Sequence, residues 1–216
     1  MTAGLEIRGL LVAEGPSDSA LATHLRALCI EAGADESVCR CPDLGALHPP
    51  PGHTLRRMIP AALALHPDTN LLFVHRDADS VDAGPRRQAI DDAVAGVRGA
   101  PLHVCVVPVQ ELEAWLLLDD AAIRRVAGNP PGTTALDLPS PRRVEELARP
   151  KEVLDTIIGR AQAEIGKRRR LPTPDVRRRL VEQLRLDGPI RGAPSFQRLV
   201  RDLDEVVGRL RSRGSS

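Results

Sequence analysis

Short apolar runs alternate with longer stretches of mixed polarity along the first part of the chain. The runs predict strands, and the longer stretches carry apolar residues at helical spacing. The predicted strands are 8–13, 37–41, 71–76 and 102–107, and the predicted helices are about 18–32, 53–66 and 84–97. A further helix is predicted where the fourth strand gives way to the stretch from Pro108 to Asp119. Strands alternating with helices of this length are typical of an α/β fold, which we expect to be a doubly wound and mainly parallel sheet.

The pattern changes beyond residue 127. Residues 128–141 are rich in Pro and Gly, which interrupt regular structure. Beyond them only helical patterns recur, at about 142–148, 151–165, 174–185 and 195–211. We therefore predict three parts: an α/β domain over 1–127, a connection over 128–141, and an Arg-rich helical extension over 142–216.

Charge is distributed unevenly between these parts. Residues 1–141 hold 11 basic and 18 acidic residues, net −7, whereas residues 142–216 hold 19 and 11, net +8. An acidic first part followed by a basic one suggests a cation site and a surface for a polyanion. An Arg-rich helical face that is merely solvated explains the basic part equally well.

Acidic residues follow three of the predicted strands. Glu14 comes after the first strand, Asp77 and Asp79 after the most apolar one, and Glu111 and Glu113 after the fourth. Because the carboxyl ends of parallel strands share one edge of a sheet, we expect these side chains to converge. Such oxygen ligands favour Mg²⁺ or Mn²⁺, which can polarise a phosphoryl oxygen and activate water. The alternative is a polar turn in which an Asp or Ser caps the next helix.

The sequence resembles the Toprim domain of topoisomerases, bacterial primases, recombination-repair proteins and overcoming-lysogenisation-defect nucleases. The matching residues are Glu14-Gly15-Pro16-Ser17-Asp18 and Asp77-Ala78-Asp79. It is most similar to a family of small bacterial Toprim-like proteins of unassigned function. That family carries a third motif, Pro-Val-x-x-x-Glu-Ala-Trp-Leu-Leu-x-Asp, which is present here at Pro108 to Asp119.

The resemblance implies a Mg²⁺- or Mn²⁺-dependent nuclease acting on DNA or RNA. It implies that Glu14, Asp77 and Asp79 hold the metal, that Glu113 is a further catalytic acid, and that Glu14 is either a ligand or the general base. The basic extension then supplies nucleic-acid contacts, for which we name Lys167, Arg168, Arg169, Arg170, Arg177 and Arg178. The chain has no Tyr, which excludes a tyrosyl topoisomerase mechanism.

Two other interpretations stay open. The resemblance also allows a non-catalytic Toprim-like subunit that regulates or assembles with an ATPase, as in bacterial defence systems. A zinc site at Cys39, Cys41, His48 and His53 has ligands of the right type but not the usual spacing. The sequence shows no signal peptide or apolar run long enough for a membrane, so we expect a cytoplasmic protein and leave self-association open.

Overall fold

The computed structural model describes residues 4–166 and 174–214. The chain divides by its contacts into two compact units. The first unit comprises residues 1–76, 84–107 and 198–216, and the second comprises residues 77–83 and 108–197. The strands are β1 (Glu6–Val12), β2 (Glu36–Arg40), β3 (Leu71–His75) and β4 (Leu102–Val106). The α-helices are α1 (Leu21–Glu31), α2 (Leu55–Leu65), α3 (Gly84–Ala95), α4 (Glu113–Leu116), α5 (Asp120–Ala127), α6 (Pro150–Ala163), α7 (Pro174–Gln183) and α8 (Pro194–Gly214).

A parallel sheet forms the core of the first unit. Within the described residues it has four strands, in the order β2-β1-β3-β4. Every residue of β3 is buried, as expected of a central strand covered on both faces. The strand order reverses between β1 and β3, and the carboxyl ends of the strands beside such a reversal are the usual place for a site in open α/β sheets.

The last helix completes the first unit. Residues 198–214 of α8 belong to this unit, and Leu199, Leu203 and Val207 form a buried stripe at helical spacing. Asp202 of α8 lies 2.5 Å from the Arg87 guanidinium of α3. Residues 198–214 of the C-terminal helix are therefore part of the unit that holds the sheet.

The second unit is built from helices and irregular segments around Trp115. Trp115 is 1 % exposed, and its ring meets Phe196 edge-on with centroids 5.4 Å apart. The indole Nε1 donates to Ser195 Oγ at 2.8 Å, and Ser195 Oγ donates in turn to Glu145 at 2.5 Å. A buried indole N–H needs a hydrogen-bond acceptor, which Ser195 provides with the support of Glu145. The Trp115 ring can therefore lie at the centre of the apolar core of this unit.

The structure confirms an α/β fold with an entirely parallel sheet and further helices toward the C-terminus. Two predicted helices are much shorter than expected. The helical pattern after β4 yields only α4, and that at 142–148 yields a single 3₁₀ turn over Val144–Glu146. Residues 128–141, predicted to connect two domains, lie within the second unit. None of the helices among the described residues is both long and apolar enough to cross a bilayer.

Candidate active site

Glu14 lies in the first unit, in the loop that leaves β1. The loop is held by Asp18, whose carboxylate accepts hydrogen bonds from the Gly15 backbone N–H at 2.9 Å and from Ser17 Oγ at 3.0 Å. Asp18 Oδ2 also lies 3.5 Å from Nδ1 of His75, the last residue of β3. The Glu-Gly-x-Ser-Asp segment thus forms a loop that the Asp18 side chain holds in place. This loop lies at the carboxyl end of β1, beside the point where the strand order reverses.

His75 is fully buried beneath this loop. Burial lowers the pKa of the imidazole, and the neighbouring Arg76 lowers it further, while Asp18 and Glu14 act in the opposite direction. Burial has the largest effect, so His75 is a neutral ring near neutral pH. It supports the Glu14 loop by position and does not add a positive charge.

A cavity of about 540 Å³ opens beside Glu14 at the carboxyl ends of β1 and β2. Its wall includes Ser19, Cys41, Asp43 and His53, together with prolines of the 42–52 loop. Burial raises the pKa of the Cys41 thiol to about 11, so Cys41 lines the cavity as a neutral group. The volume is within the range of small-ligand pockets.

Asp77 and Asp79 lie in the second unit, on a segment that pairs with the segment after β4. Ala78 N donates to Pro108 O at 3.1 Å, Asp79 N to Gln110 O at 2.9 Å, and Gln110 N to Ser80 O at 3.0 Å. Asp79 and Gln110 both adopt left-handed backbone conformations, with φ of 54° and 61°. Non-glycine residues in this region cost of order 1–3 kcal/mol each and cluster at functional sites.

The Asp77 carboxylate links the segment after β3 to the segment after β4 by a hydrogen bond. Its Oδ1 accepts a hydrogen bond from the backbone N–H of Leu112 at 2.9 Å. Leu112 directly precedes Glu113, so Asp77, Asp79 and the 110–113 segment come together within the second unit. Glu14 is assigned to the first unit.

Glu113 is paired with a basic residue that we predicted to contact nucleic acid. Arg177 Nε lies 3.2 Å from Glu113 Oε1, and Arg177 Nη2 lies 3.6 Å from Asp155 Oδ1. Burial raises the pKa of Glu113, with a contribution from Glu111, and the charges of Arg177 and Lys151 only partly offset it. Glu113 is therefore a largely buried carboxyl group that ionises less readily than usual, and its ionised form is paired with Arg177.

The other predicted nucleic-acid contacts differ in position. Lys167, Arg168, Arg169 and Arg170 lie outside the described residues. Arg178 lies on α7, where it forms ion pairs with Glu182 and, at 3.8 Å, with Asp175. Arg177 and Arg178 thus both face acidic partners within their own unit.

Much of the third family-like motif has a structural role. Trp115 is the core residue described above. Asp119 is 6 % exposed, and its Oδ1 accepts from Ala122 N at 2.9 Å, which caps α5. Its Oδ2 accepts from Arg185 N at 3.2 Å, beyond the end of α7. Glu111 Oε2 accepts from Lys151 N at 3.1 Å in the first turn of α6. These residues organise the helices of the second unit, which leaves Glu113 as the motif's candidate for chemistry.

One group of potential metal ligands was missed by the sequence reasoning. Asp91 of α3 and His103 and Cys105 of β4 present ligand atoms within 4.8 Å of one another and could hold a metal ion. Among the described residues this is the one such cluster of three donors. Within the part of the chain that it describes, the structure brings together in this way neither the predicted Mg²⁺ ligands Glu14, Asp77 and Asp79 nor the alternative zinc ligands Cys39, Cys41, His48 and His53. The i, i+2 spacing of His103 and Cys105 on a strand was its only sequence signal.

Comparison with models of protein families, with curated proteins and with solved structures gives no match to this chain.

Proposed function

We propose that this protein cleaves nucleic-acid phosphodiester bonds with the help of Mg²⁺ or Mn²⁺. The observation that carries the proposal is the conformation of Asp79, a left-handed residue held opposite the left-handed Gln110. This pairing keeps two carboxylates, Asp77 and Asp79, at the start of the second unit next to the segment that leads to Glu113. The proposal includes the Toprim-like interpretation of the α/β fold, which is supported by the parallel sheet and by acids that follow β1 and β3 in the sequence.

The donor set suits a hard divalent cation. Asp77 and Asp79 offer carboxylate oxygens within the second unit, whereas Glu14 belongs to the first unit and its role as a ligand or general base stays a prediction of the resemblance. Mg²⁺ and Mn²⁺ prefer such oxygen ligands, whereas zinc prefers nitrogen and sulfur donors. When bound, the ion would neutralise negative charge on a phosphoryl group.

Protein side chains supply the remaining chemistry. Burial shifts the pKa of Glu113 upward toward neutral pH, so Glu113 suits proton transfer to a leaving oxygen, and Arg177 pairs with its ionised form. Lys151, near Glu113, adds a positive charge to the same region. The Asp77–Leu112 hydrogen bond holds the backbone immediately before Glu113.

A second candidate function is a non-catalytic subunit of an ATPase complex. Arg177 and Arg178 favour it, because both side chains face acids of their own unit. In that case the ATPase partner would bind the nucleic acid. The two candidate functions are compatible if this protein cleaves nucleic acid only in complex with an ATPase partner.

The test compares Asp77→Asn and Asp79→Asn with wild type and with Asp82→Asn, an exposed acid on the same segment. The amide oxygen introduced by Asp77→Asn can still accept the Leu112 hydrogen bond, so the fold should persist. We expect wild type and Asp82→Asn to bind Mg²⁺ or Mn²⁺ saturably in calorimetry and to cleave labelled DNA or RNA. The other two variants should lose metal binding and at least about 100-fold in rate.

The outcomes separate the two candidates. Metal binding with cleavage only after addition of an ATPase partner supports the nuclease as one part of a complex. Wild type that binds neither ion at millimolar concentration and cleaves nothing would favour the non-catalytic subunit. Asp77→Asn protein that cleaves at the wild-type rate would refute the site.

A further inference from the structure

The Asp91, His103 and Cys105 cluster lies entirely within the first unit and plays no part in the reaction proposed above. His103 Nε2 lies 2.8 Å from Asp91 Oδ1, and Cys105 Sγ lies 3.5 Å from the same oxygen. One carboxylate oxygen therefore meets a nitrogen and a sulfur that come from alternate residues of one strand. These three donors are of different chemical types and belong to two adjacent elements.

We propose that Asp91, His103 and Cys105 bind a zinc ion that joins α3 to β4. Ligand atoms around tetrahedral zinc lie roughly 3.3–3.7 Å apart, given bond lengths of about 2.0–2.3 Å. The sulfur–oxygen distance is already in that range, and the nitrogen–oxygen distance needs to widen by about half an ångström. The ion would replace the proton that His103 and Asp91 share.

The donor types select the metal. A thiolate with an imidazole is a soft to borderline set, which favours zinc over Mg²⁺ or Mn²⁺. Three protein ligands leave a fourth position for water, and the half-exposed Asp91 side chain and partly exposed His103 keep this position open to solvent. The zinc ion would therefore cross-link α3 to the edge strand β4, and its fourth ligand would be an exchangeable water molecule.

A zinc ion would have to displace the proton of the Cys105 thiol. Burial and the neighbouring Asp91 carboxylate raise the pKa of the Cys105 thiol to about 12, so the metal-free thiol stays protonated. The charge of Arg87 acts in the opposite direction, and Arg87 is paired with Asp202 at 2.5 Å. Zinc would bind with release of the thiol proton.

The experiment uses the full chain with ZnCl₂ and with Co²⁺ as a spectroscopic substitute. The variants are Cys105→Ser, at a buried position, and His103→Gln, at a partly exposed one that should fold even if the first variant does not. The matched controls are Cys41→Ser, another cysteine of the first unit, and Asp92→Asn, the exposed neighbour of Asp91. Wild type and controls should bind one ion with a thiolate-to-cobalt absorption band.

Loss of His103 or Cys105 should weaken zinc binding by more than about 100-fold and remove the band or shift it strongly. Zinc at a hundredfold excess over Kd should raise the unfolding midpoint of wild type by roughly 5–10 °C but leave His103→Gln unchanged. Absence of the band in wild type, or a band that persists in Cys105→Ser and vanishes in Cys41→Ser, would overturn the proposal. None of these measurements depends on nuclease activity, so this site and the proposed function can fail separately.

Discussion

Replacing Arg177 with alanine should destabilise the second unit far more than replacing its neighbour Arg178. Both residues belong to α7 and both form ion pairs, but their surroundings differ. The Arg177 side chain is 19 % exposed and faces Glu113 and Asp155, whose side chains are 12 % and 16 % exposed. The Arg178 side chain is 43 % exposed and its partners lie on its own helix.

The size of the effect follows from these contacts. At the 3.2 Å between Arg177 and Glu113, opposite charges attract by about 5 kcal/mol gross at an effective dielectric constant of 20. Much of that attraction offsets the cost of desolvating both groups. Removing one partner of a buried pair costs about 3–5 kcal/mol because the remaining charge is left uncompensated. Residual exposure reduces this to about 2–4 kcal/mol for Arg177→Ala, against at most about 0.5 kcal/mol for Arg178→Ala.

Urea unfolding followed by far-ultraviolet circular dichroism measures both variants. A lower midpoint with an unchanged m-value gives the loss in free energy of unfolding. The double variant Arg177→Met with Glu113→Gln should recover part of the loss, because the buried charge at residue 113 is gone. Equal losses at Arg177 and Arg178, or a loss below about 1 kcal/mol at Arg177, would refute the interpretation of Arg177 as the counter-charge of buried acids.

Two further predictions concern stability. The pKa of Glu113 is raised in the folded state, so its carboxyl group ionises first in the unfolded chain as pH rises through the ordinary pKa of 4.5. Stability of wild type should therefore fall from that pH up to the folded-state pKa, and Glu113→Gln should lack this fall when thermal unfolding is followed across the window. Asp119→Ala should lose about 2–3 kcal/mol, since it removes the cap of α5 and the partner of the Arg185 amide. Asp119→Asn, which keeps one acceptor, should lose less, and an equal loss would show that the carboxylate acts by charge alone.

The sheet was predictable because its signal is local. An apolar run such as 71–76 reads as a buried strand wherever its partners lie, and the observed β3 ends one residue earlier. The helix predicted in the stretch after the fourth strand was mostly wrong, because a backbone carbonyl and a side-chain carboxylate from a distant segment accept hydrogen bonds from its first amides. Gln110 N donates to Ser80, and the Leu112 amide donates to Asp77, so the helix begins only at Glu113.

The candidate site was predictable in its residue types but not in its pairings. A run of arginines gives no sign of which side chain faces an acid on a distant helix, so Arg177 could not be told from Arg178. The Asp91, His103 and Cys105 cluster was equally hidden. Asp91 lies on α3, and the spacing of residues along β4 does not indicate which residues of a helix face that strand. Which charged side chains pair and which potential ligands meet depends on residues far apart in the chain, so a local sequence pattern does not predict either.

The division of the first unit into three lengths of chain has a consequence for its synthesis. All four strands have been made once residue 106 is added, but Leu199, Leu203 and Val207 follow only after residues 108–197. At about 5–20 residues per second, translation of that interval takes roughly 5–20 s. Throughout it the first unit lacks the buried stripe of α8, so apolar residues that pack against this stripe stay exposed. The ribosome-bound chain should therefore bind chaperones that shield hydrophobic surface until α8 emerges.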